Sequence, residues 1–210
     1  MDPNVNGANG MISLSEPIMG TIEQLVASAN NDIKHWMLGG SCGLVLQGVP
    51  LGREPRDVDI YADEPDAKQL QEKWNPYATD APEWNATSTY HSLLSHYQIC
   101  GVPIELVGQF IVTTPQCQYN TIIRDALWNH RIIYNVDRFS IALMPLAHEL
   151  VFNILRQRED RTASIAQVIN AAPEQHFAAM NAVLANCSEP AYIRSIVNER
   201  CPNLMAFLFV

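Results

Sequence analysis

Two aspartates separated by one residue suggest chemistry with a metal ion. Asp57 and Asp59 belong to the segment Asp57–Tyr61, in which polar and apolar residues alternate as they do in a half-buried β-strand. Side chains two positions apart in a strand lie on the same face, roughly 6.5 to 7 Å from each other. Both carboxylates then point in one direction, and they repel each other unless a cation neutralises them. The pair therefore predicts a cation site.

A third carboxylate, Glu105, lies on a later segment with the same pattern. The segment Gly101–Gly108 has a glycine at each end, and Glu105 stands between two apolar residues that would face the core. Mg²⁺ prefers oxygen ligands, and nucleotide phosphates commonly complete its shell. Three carboxylates from two strands are enough for a phosphoryl or nucleotidyl transfer site with Mg²⁺ or Mn²⁺. We therefore predict that Asp57, Asp59 and Glu105 form both the metal site and the catalytic centre.

A glycine turn precedes the acidic strand and could hold phosphate. The apolar run Trp36–Leu38 ends at Gly39 and Gly40, and Ser41 begins a segment with helical spacing. Glycines let the backbone approach a ligand closely, and amide groups at the start of a helix attract phosphate. We predict a strand, a turn and a helix here, with Gly39, Gly40 and Ser41 binding a nucleotide.

Two arginines lie between this turn and the acidic strand. The loop is marked by two prolines and a glycine, and it carries Arg53 and Arg56. A guanidinium group on such a loop could reach the triphosphate of a nucleotide held at the turn. We include both arginines among the predicted nucleotide-binding residues.

The remaining pattern predicts the elements that position these groups. We expect helices over Ile18–Asn30 and Glu64–Trp74, a connection over Asn75–Asn85, two extended runs within Ser88–Val107, strand-like pieces at Phe110–Thr113 and Arg131–Tyr134, and four helices after Pro145. The chain then divides into a flexible tail over 1–15, an α/β domain over 16–144 and a helical region over 145–210.

Composition limits the classes of function. Hydrophobic residues make up 48% of the chain, which favours a folded globular protein. The net charge of −9 disfavours a broad grip on nucleic acid, since that depends on clustered basic residues. We see neither a secretory signal nor a membrane-spanning run. We therefore expect a cytoplasmic protein that does not bind membranes.

In this order, the motifs resemble the DNA polymerase beta-like nucleotidyltransferase superfamily, especially its small bacterial members. The similarity runs from Trp36 to Ile169 and rests on the Gly-Gly-Ser turn, the Asp-x-Asp strand and the later strand with one carboxylate. It implies an α/β (α+β) fold with a mixed β-sheet flanked by helices and followed by a C-terminal helical segment. It also implies that Gly40 and Ser41 contact phosphates and that Asp57 and Asp59 bind magnesium. Glu105 would complete the metal site or activate the acceptor hydroxyl.

Our leading hypothesis is a metal-dependent nucleotidyltransferase. It would transfer a nucleoside monophosphate from a nucleoside triphosphate such as ATP to a hydroxyl of an unidentified acceptor. The sequence leaves open the acceptor, the preferred base and the oligomeric state.

Two other hypotheses belong to different classes. The fold could serve as a binding or regulatory module of the toxin-antitoxin type, with little turnover. Gly39-x-Ser41-x-Gly43 also matches the nucleophile elbow of serine hydrolases, which would make Ser41 the nucleophile. That fold places several strands and an oxyanion loop before the elbow, and the chain before Ser41 has no room for them.

Overall fold

The computed structural model describes residues 13–29, 33–136 and 138–206 of the 210-residue chain. Within them, the strands are β1 (Trp36–Gly39), β2 (Val58–Ala62), β3 (Glu83–Ala86), β4 (Tyr90–Ile99), β5 (Val102–Thr113), β6 (Gln118–Asn120), β7 (Ile132–Val136) and β8 (Phe139–Leu143). The α-helices are α1 (Glu16–Ala29), α2 (Gly40–Leu46), α3 (Glu64–Trp74), α4 (Leu146–Leu155), α5 (Glu159–Ala171), α6 (Phe177–Ala185), α7 (Pro190–Arg200) and α8 (Pro202–Met205). Among the described residues, every helix is too short or too polar to cross a bilayer.

The strands form one mixed sheet in the order β3-β4-β5-β2-β1-β8-β7, with β6 paired to the far part of β5. β1 runs antiparallel to β2, and β2 runs parallel to β5. This register places Gly39 beside Asp59 and Asp59 beside Glu105. The start of the glycine turn and two predicted catalytic acids therefore lie in one row across three neighbouring strands.

Helices cover both faces of the sheet because its central strands are apolar on both sides. Ile60 and Leu106 pack in a buried cluster with residues of α1 and α3. Tyr61 and Val107, one position later in each strand, pack in a second cluster with α4 to α8. Alternation along a strand sends neighbouring side chains to opposite faces. The predicted mixed sheet flanked by helices is confirmed.

Several element boundaries differ from the sequence prediction. The acidic strand begins at Val58, so Asp57 lies just before it. β5 continues as one strand to Thr113 instead of ending at Val107, and α3 approaches it so closely that a Cβ on Gly108 would lie 2.8 Å from that of Ala67. The short strands β3, β6 and β8 were not predicted from the sequence. β3 is exposed along its whole length, and it overlaps the stretch Asn75–Asn85 that was predicted to be a connection.

Most of the predicted tail, 1–12, and the end of the predicted first helix, Asn30, lie outside the described residues. The second buried cluster extends from the sheet into the helices after Pro145. The predicted domain boundary at residue 144 stays a prediction. One buried cluster contains residues from both sides of it.

Candidate active site

The glycine turn lies directly against the Asp59 carboxylate. Gly40 has a φ of +56°, and a Cβ added to it would lie 1.8 Å from Oδ2 of Asp59. Gly39 is buried, and a Cβ there would meet the Tyr61 ring at 2.7 Å and Oε1 of Glu149 at 2.9 Å. Only residues without a side chain fit at these two positions. The turn thus brings the backbone close to the carboxylate, whereas the expectation from sequence was that the glycines let the backbone approach a phosphate.

The three predicted acids line one cleft of about 400 Å³. Burial, followed by the charges of Asp57 and Glu105, raises the pKa of Asp59 to about 7. The charges of Asp57 and Glu105 therefore make it harder for Asp59 to ionise. As the side chains stand, no group of three or more His, Cys, Asp or Glu residues in the described part of the chain encloses a position for a metal ion.

The donor set of the cleft nevertheless fits a hard divalent cation. All three groups offer carboxyl oxygens, which Mg²⁺ and Mn²⁺ prefer as ligands. A cation beside Asp59 would also offset the repulsion that contributes to its raised pKa. Asp57, Asp59 and Glu105 are the residues that would hold such an ion.

Two residues from the C-terminal helices bind the glycine turn, and the sequence analysis did not assign either of them to the site. The backbone N–H of Gly40 donates to Oε1 of Glu149 on α4 at 2.8 Å. Nη2 of Arg161 on α5 donates to Oγ of Ser41 at 3.0 Å. Glu149 is 1% exposed, and its burial raises its pKa to about 8. An acid on the apolar face of a predicted helix was the available signal for Glu149.

Four arginines line the cleft, and they approach it from different elements. Arg53 comes from the loop before β2, whereas Arg156, Arg158 and Arg161 come from the end of α4 and the start of α5. Arg158 pairs with Asp160 at 3.2 Å. Arg56 was also predicted from the sequence to bind the nucleotide. It lines a neighbouring cleft, together with Asp57, Glu105 and His96.

The surroundings of Ser41 do not resemble those of a hydrolase nucleophile. Its described partner, Arg161, has a guanidinium group that donates hydrogen bonds and cannot take up a proton. No histidine is among the described residues that line the cleft. A serine nucleophile needs a neighbouring base, so the geometry offers the hydrolase hypothesis no support.

Comparison with solved structures identifies the fold. Neither a protein-family model nor a curated protein matches the chain. The structure of TM1012 from Thermotoga maritima, a candidate nucleotidyltransferase, matches with a TM-score of 0.61 and 18% identity, over 76% of this chain and 96% of that chain. The chain has a nucleotidyltransferase fold.

A second nucleotidyltransferase structure resembles the chain along more of its length. The antibiotic-resistance factor ANT(2'')-Ia, in its solution structure, matches with a TM-score of 0.50 and 8% identity, over 91% of this chain and 97% of that chain. The match therefore reaches the helices after Pro145 as well as the sheet. At such identities the likeness establishes the nucleotidyltransferase fold and leaves the chemistry to the cleft itself.

Proposed function

We propose that the chain is a metal-dependent nucleotidyltransferase that moves a nucleoside monophosphate from a nucleoside triphosphate to a hydroxyl of an acceptor. The observation that carries this proposal is the contact between the Gly40 turn and Asp59, with Glu105 on the next strand of the same cleft. A phosphate-binding turn, hard oxygen ligands and cationic side chains are the parts that phosphoryl transfer needs.

The triphosphate would lie near Ser41, Arg161 and Arg53. Guanidinium groups bind phosphate oxygens through charged hydrogen bonds, and Arg161 is already positioned at the Ser41 hydroxyl. Glu149 engages the Gly40 amide, so Gly39 and Gly40 would serve chiefly by bringing the backbone close to Asp59. Arg56 could reach the nucleotide only from the neighbouring cleft.

A divalent ion held by Asp57, Asp59 and Glu105 would stabilise the negative charge that develops on the transferred phosphate. The acceptor hydroxyl oxygen bonds to the α-phosphorus, opposite the leaving pyrophosphate. The bond from that phosphorus to the α–β bridging oxygen breaks, and pyrophosphate leaves with the electron pair. The hydroxyl proton passes to Glu105 or, where Glu105 binds the ion, to solvent.

The test is binding of ATP and release of pyrophosphate with Mg²⁺ or Mn²⁺, measured for the wild type and Asp59→Asn. Loss of the carboxylate should remove several kcal/mol of transition-state stabilisation, on the order of 10³-fold in rate. Asp125→Asn is the matched control, since Asp125 is exposed and does not line the cleft. A wild-type protein that neither binds ATP with the metal nor releases pyrophosphate from it would refute the proposal.

The hydrogen bond from Gly40 to Glu149 favours a second candidate, a binding or regulatory module of the toxin-antitoxin type. This bond occupies an amide that would otherwise be available to phosphate. Such a module would bind ATP without consuming it. Binding that is equal in the wild type and Asp59→Asn, with no pyrophosphate released by either, would identify this function.

A further inference from the structure

The strand order assigns opposite sides of the cleft to the donor and the acceptor. Across the sheet the order is β4, β5, β2 and β1, so Glu105 and Asp59 lie between the β4 side and the Gly40 turn at the end of β1. In a phosphoryl transfer the attacking and leaving oxygens lie roughly in line on opposite sides of phosphorus. With the phosphates at the turn, the acceptor approaches from β4. This assignment rests on the proposed function.

Arg156 occupies the acceptor side with its hydrogen-bonding edge unused. Its guanidinium carbon lies 4.7 Å from the centre of the Phe152 ring and 5.9 Å from that of Tyr90 on β4. Within the described residues, its side-chain N–H groups have neither a hydrogen-bond nor an ion-pair partner. Arg158 and Arg161, by contrast, already bind Asp160 and Ser41.

The guanidinium group of Arg156 lies over the Phe152 ring and near Tyr90, and its N–H groups remain available to a ligand. Those groups match the paired oxygens of a carboxylate or a phosphate. The rings also fix the side chain, so that less conformational entropy is lost when an anion binds. Arg156 can therefore bind an anion. A cation at the end of a helix often interacts only with helix carbonyls, but the side chain of Arg156 lies against the aromatic rings of the cleft.

The rest of the acceptor side carries no charge that would favour a cation. Its described lining residues on β3 and β4 are Asn85, Tyr90, Ser92 and Leu94. Tyr90 and Arg156 also line an adjoining cleft, whose other described residues are neutral, with Ser, Thr and Gln side chains among them. The described acids that line the cleft are the three of the proposed metal site and Glu149, which binds the Gly40 amide.

We propose that the acceptor is a small molecule that carries a phosphate or a carboxylate group in addition to its reactive hydroxyl, and that Arg156 binds this anionic group. A small molecule fits better than a nucleic acid, because the chain has a net charge of −9 and only four of its thirteen Lys and Arg residues line the cleft. Neutral hydroxyl and amide groups around Arg156 would bind the body of the acceptor.

The direct test follows the side-chain N–H signal of Arg156 by NMR. The protein is first saturated with a non-hydrolysable ATP analogue and Mg²⁺, so that the donor site is filled, and is then titrated with inorganic phosphate or with acetate. The Arg156 signal, assigned with Arg156→Gln, should shift saturably with one of the anions. Followed in all variants by the backbone amide signals of residues that line the cleft, that binding should weaken by roughly 10-fold or more in Arg156→Gln. It should stay unchanged in Arg194→Gln, which alters an exposed arginine outside the cleft.

The two titrations distinguish the sources of the anion. A response to phosphate alone identifies a phosphorylated acceptor, and a response to acetate alone identifies a carboxylate. No response to either, or equal binding by Arg156→Gln and the wild type, overturns the proposal. If the ATP analogue does not bind, the proposed function fails. The same titrations are then performed on Arg161→Gln, which weakens phosphate binding at the turn, and they still decide whether Arg156 binds anions.

A catalytic experiment tests the acceptor itself. A protein-free extract of small molecules is separated on ion-exchange resins into anionic, neutral and cationic fractions, and each is incubated with the protein, Mg²⁺ and α-labelled ATP. Labelled product should form from the anionic fraction and be lost with Arg156→Gln. Label only in the cationic or neutral fraction, or label on added RNA alone, overturns the proposal. No label anywhere, despite ATP binding, counts against nucleotidyl transfer and leaves the titrations to decide on Arg156.

Discussion

The buried carboxylate of Glu149 connects the helical layer to the glycine turn. It accepts the Gly40 N–H at 2.8 Å and is almost completely removed from solvent. Burial raises its pKa to about 8, and the nearby charge of Asp59 contributes in the same direction. Stability near neutral pH therefore depends in part on the protonation of this side chain.

We expect the protein to lose stability between about pH 7 and about pH 8, and Glu149→Gln to reduce that loss. In this window folded Glu149 retains its proton, with a pKa of about 8, while the unfolded side chain, with a pKa near 4.5, is ionised. The folded state binds more protons, so the free energy of unfolding falls as pH rises, by up to about 1.4 kcal/mol per pH unit. Urea unfolding at several pH values measures this change in the free energy of unfolding.

Other buried groups fall mainly outside this pH window. Burial lowers the pKa of His148 to about 3 from 6.5, so its neutral form gives stability that is lost only as pH falls below about 6.5. Asp59 acts in the same direction as Glu149, but its pKa of about 7 confines most of its effect to lower pH. Glu72→Gln, at an exposed position of α3, is the control. An unchanged pH dependence in Glu149→Gln would contradict this account.

At the scale of elements, the turn between β1 and α2 is the part whose shape the site depends on most. The strand ends at Gly39 and the helix starts at Gly40, so no loop residue between them can adjust its backbone to a substitution. Gly40 combines a left-handed φ of +56° with the closest approach to Asp59. A side chain at this position must displace the carboxylate or the turn itself.

We predict that Gly40→Ala destabilises the protein by about 2 kcal/mol or more. The left-handed backbone alone costs roughly 1 to 2 kcal/mol for a residue with a Cβ, and the contact with Asp59 adds to it. Pyrophosphate release should fall as well, because the carboxylate moves. Gly20→Ala is the control: Gly20 lies in α1 with nothing within 4 Å of an added Cβ, so it should stabilise by roughly 0.5 to 1 kcal/mol. Equal urea midpoints for the two variants would refute the prediction.

For the whole molecule, one buried cluster joins the sheet to the helices that follow Pro145. It contains Phe110 and Val112 of β5 together with Leu150 of α4 and Ile165 of α5. The helices also contribute Glu149, Arg156 and Arg161 to the cleft. The helical region is therefore part of the site and of its support.

We expect the fragment 13–144 not to fold cooperatively without the helical region. Without those helices one face of the sheet would expose its apolar side chains, among them Tyr61 and Val107, to water. The fragment should lack near-ultraviolet circular dichroism and a cooperative urea transition. When 13–144 and 145–206 are produced together as separate chains, they should co-purify and regain both signals. A cooperative transition of 13–144 alone would show that the sheet is an independent domain.

The sequence by itself determined the local features of this protein. Alternation placed Asp59 and Glu105 on strands, glycines marked the turn, and helical spacing located α1, α3 and the helices after Pro145. These are short-range consequences of backbone geometry and apolar periodicity, which a single sequence displays. The order of the motifs was enough to suggest the nucleotidyltransferase fold.

Only the tertiary structure decided which distant groups complete the cleft. Glu149 lies 109 residues from Gly40 along the chain, and Arg161 lies 120 residues from Ser41. Their approach results from packing α4 and α5 on the sheet, and nothing in their local sequence encodes a partner so far away. The same packing directs Arg156 towards Tyr90, while strand pairing leaves Arg56 in the neighbouring cleft. Periodicity shows which face of an element is buried, but only the packed sheet and helices show what that face meets.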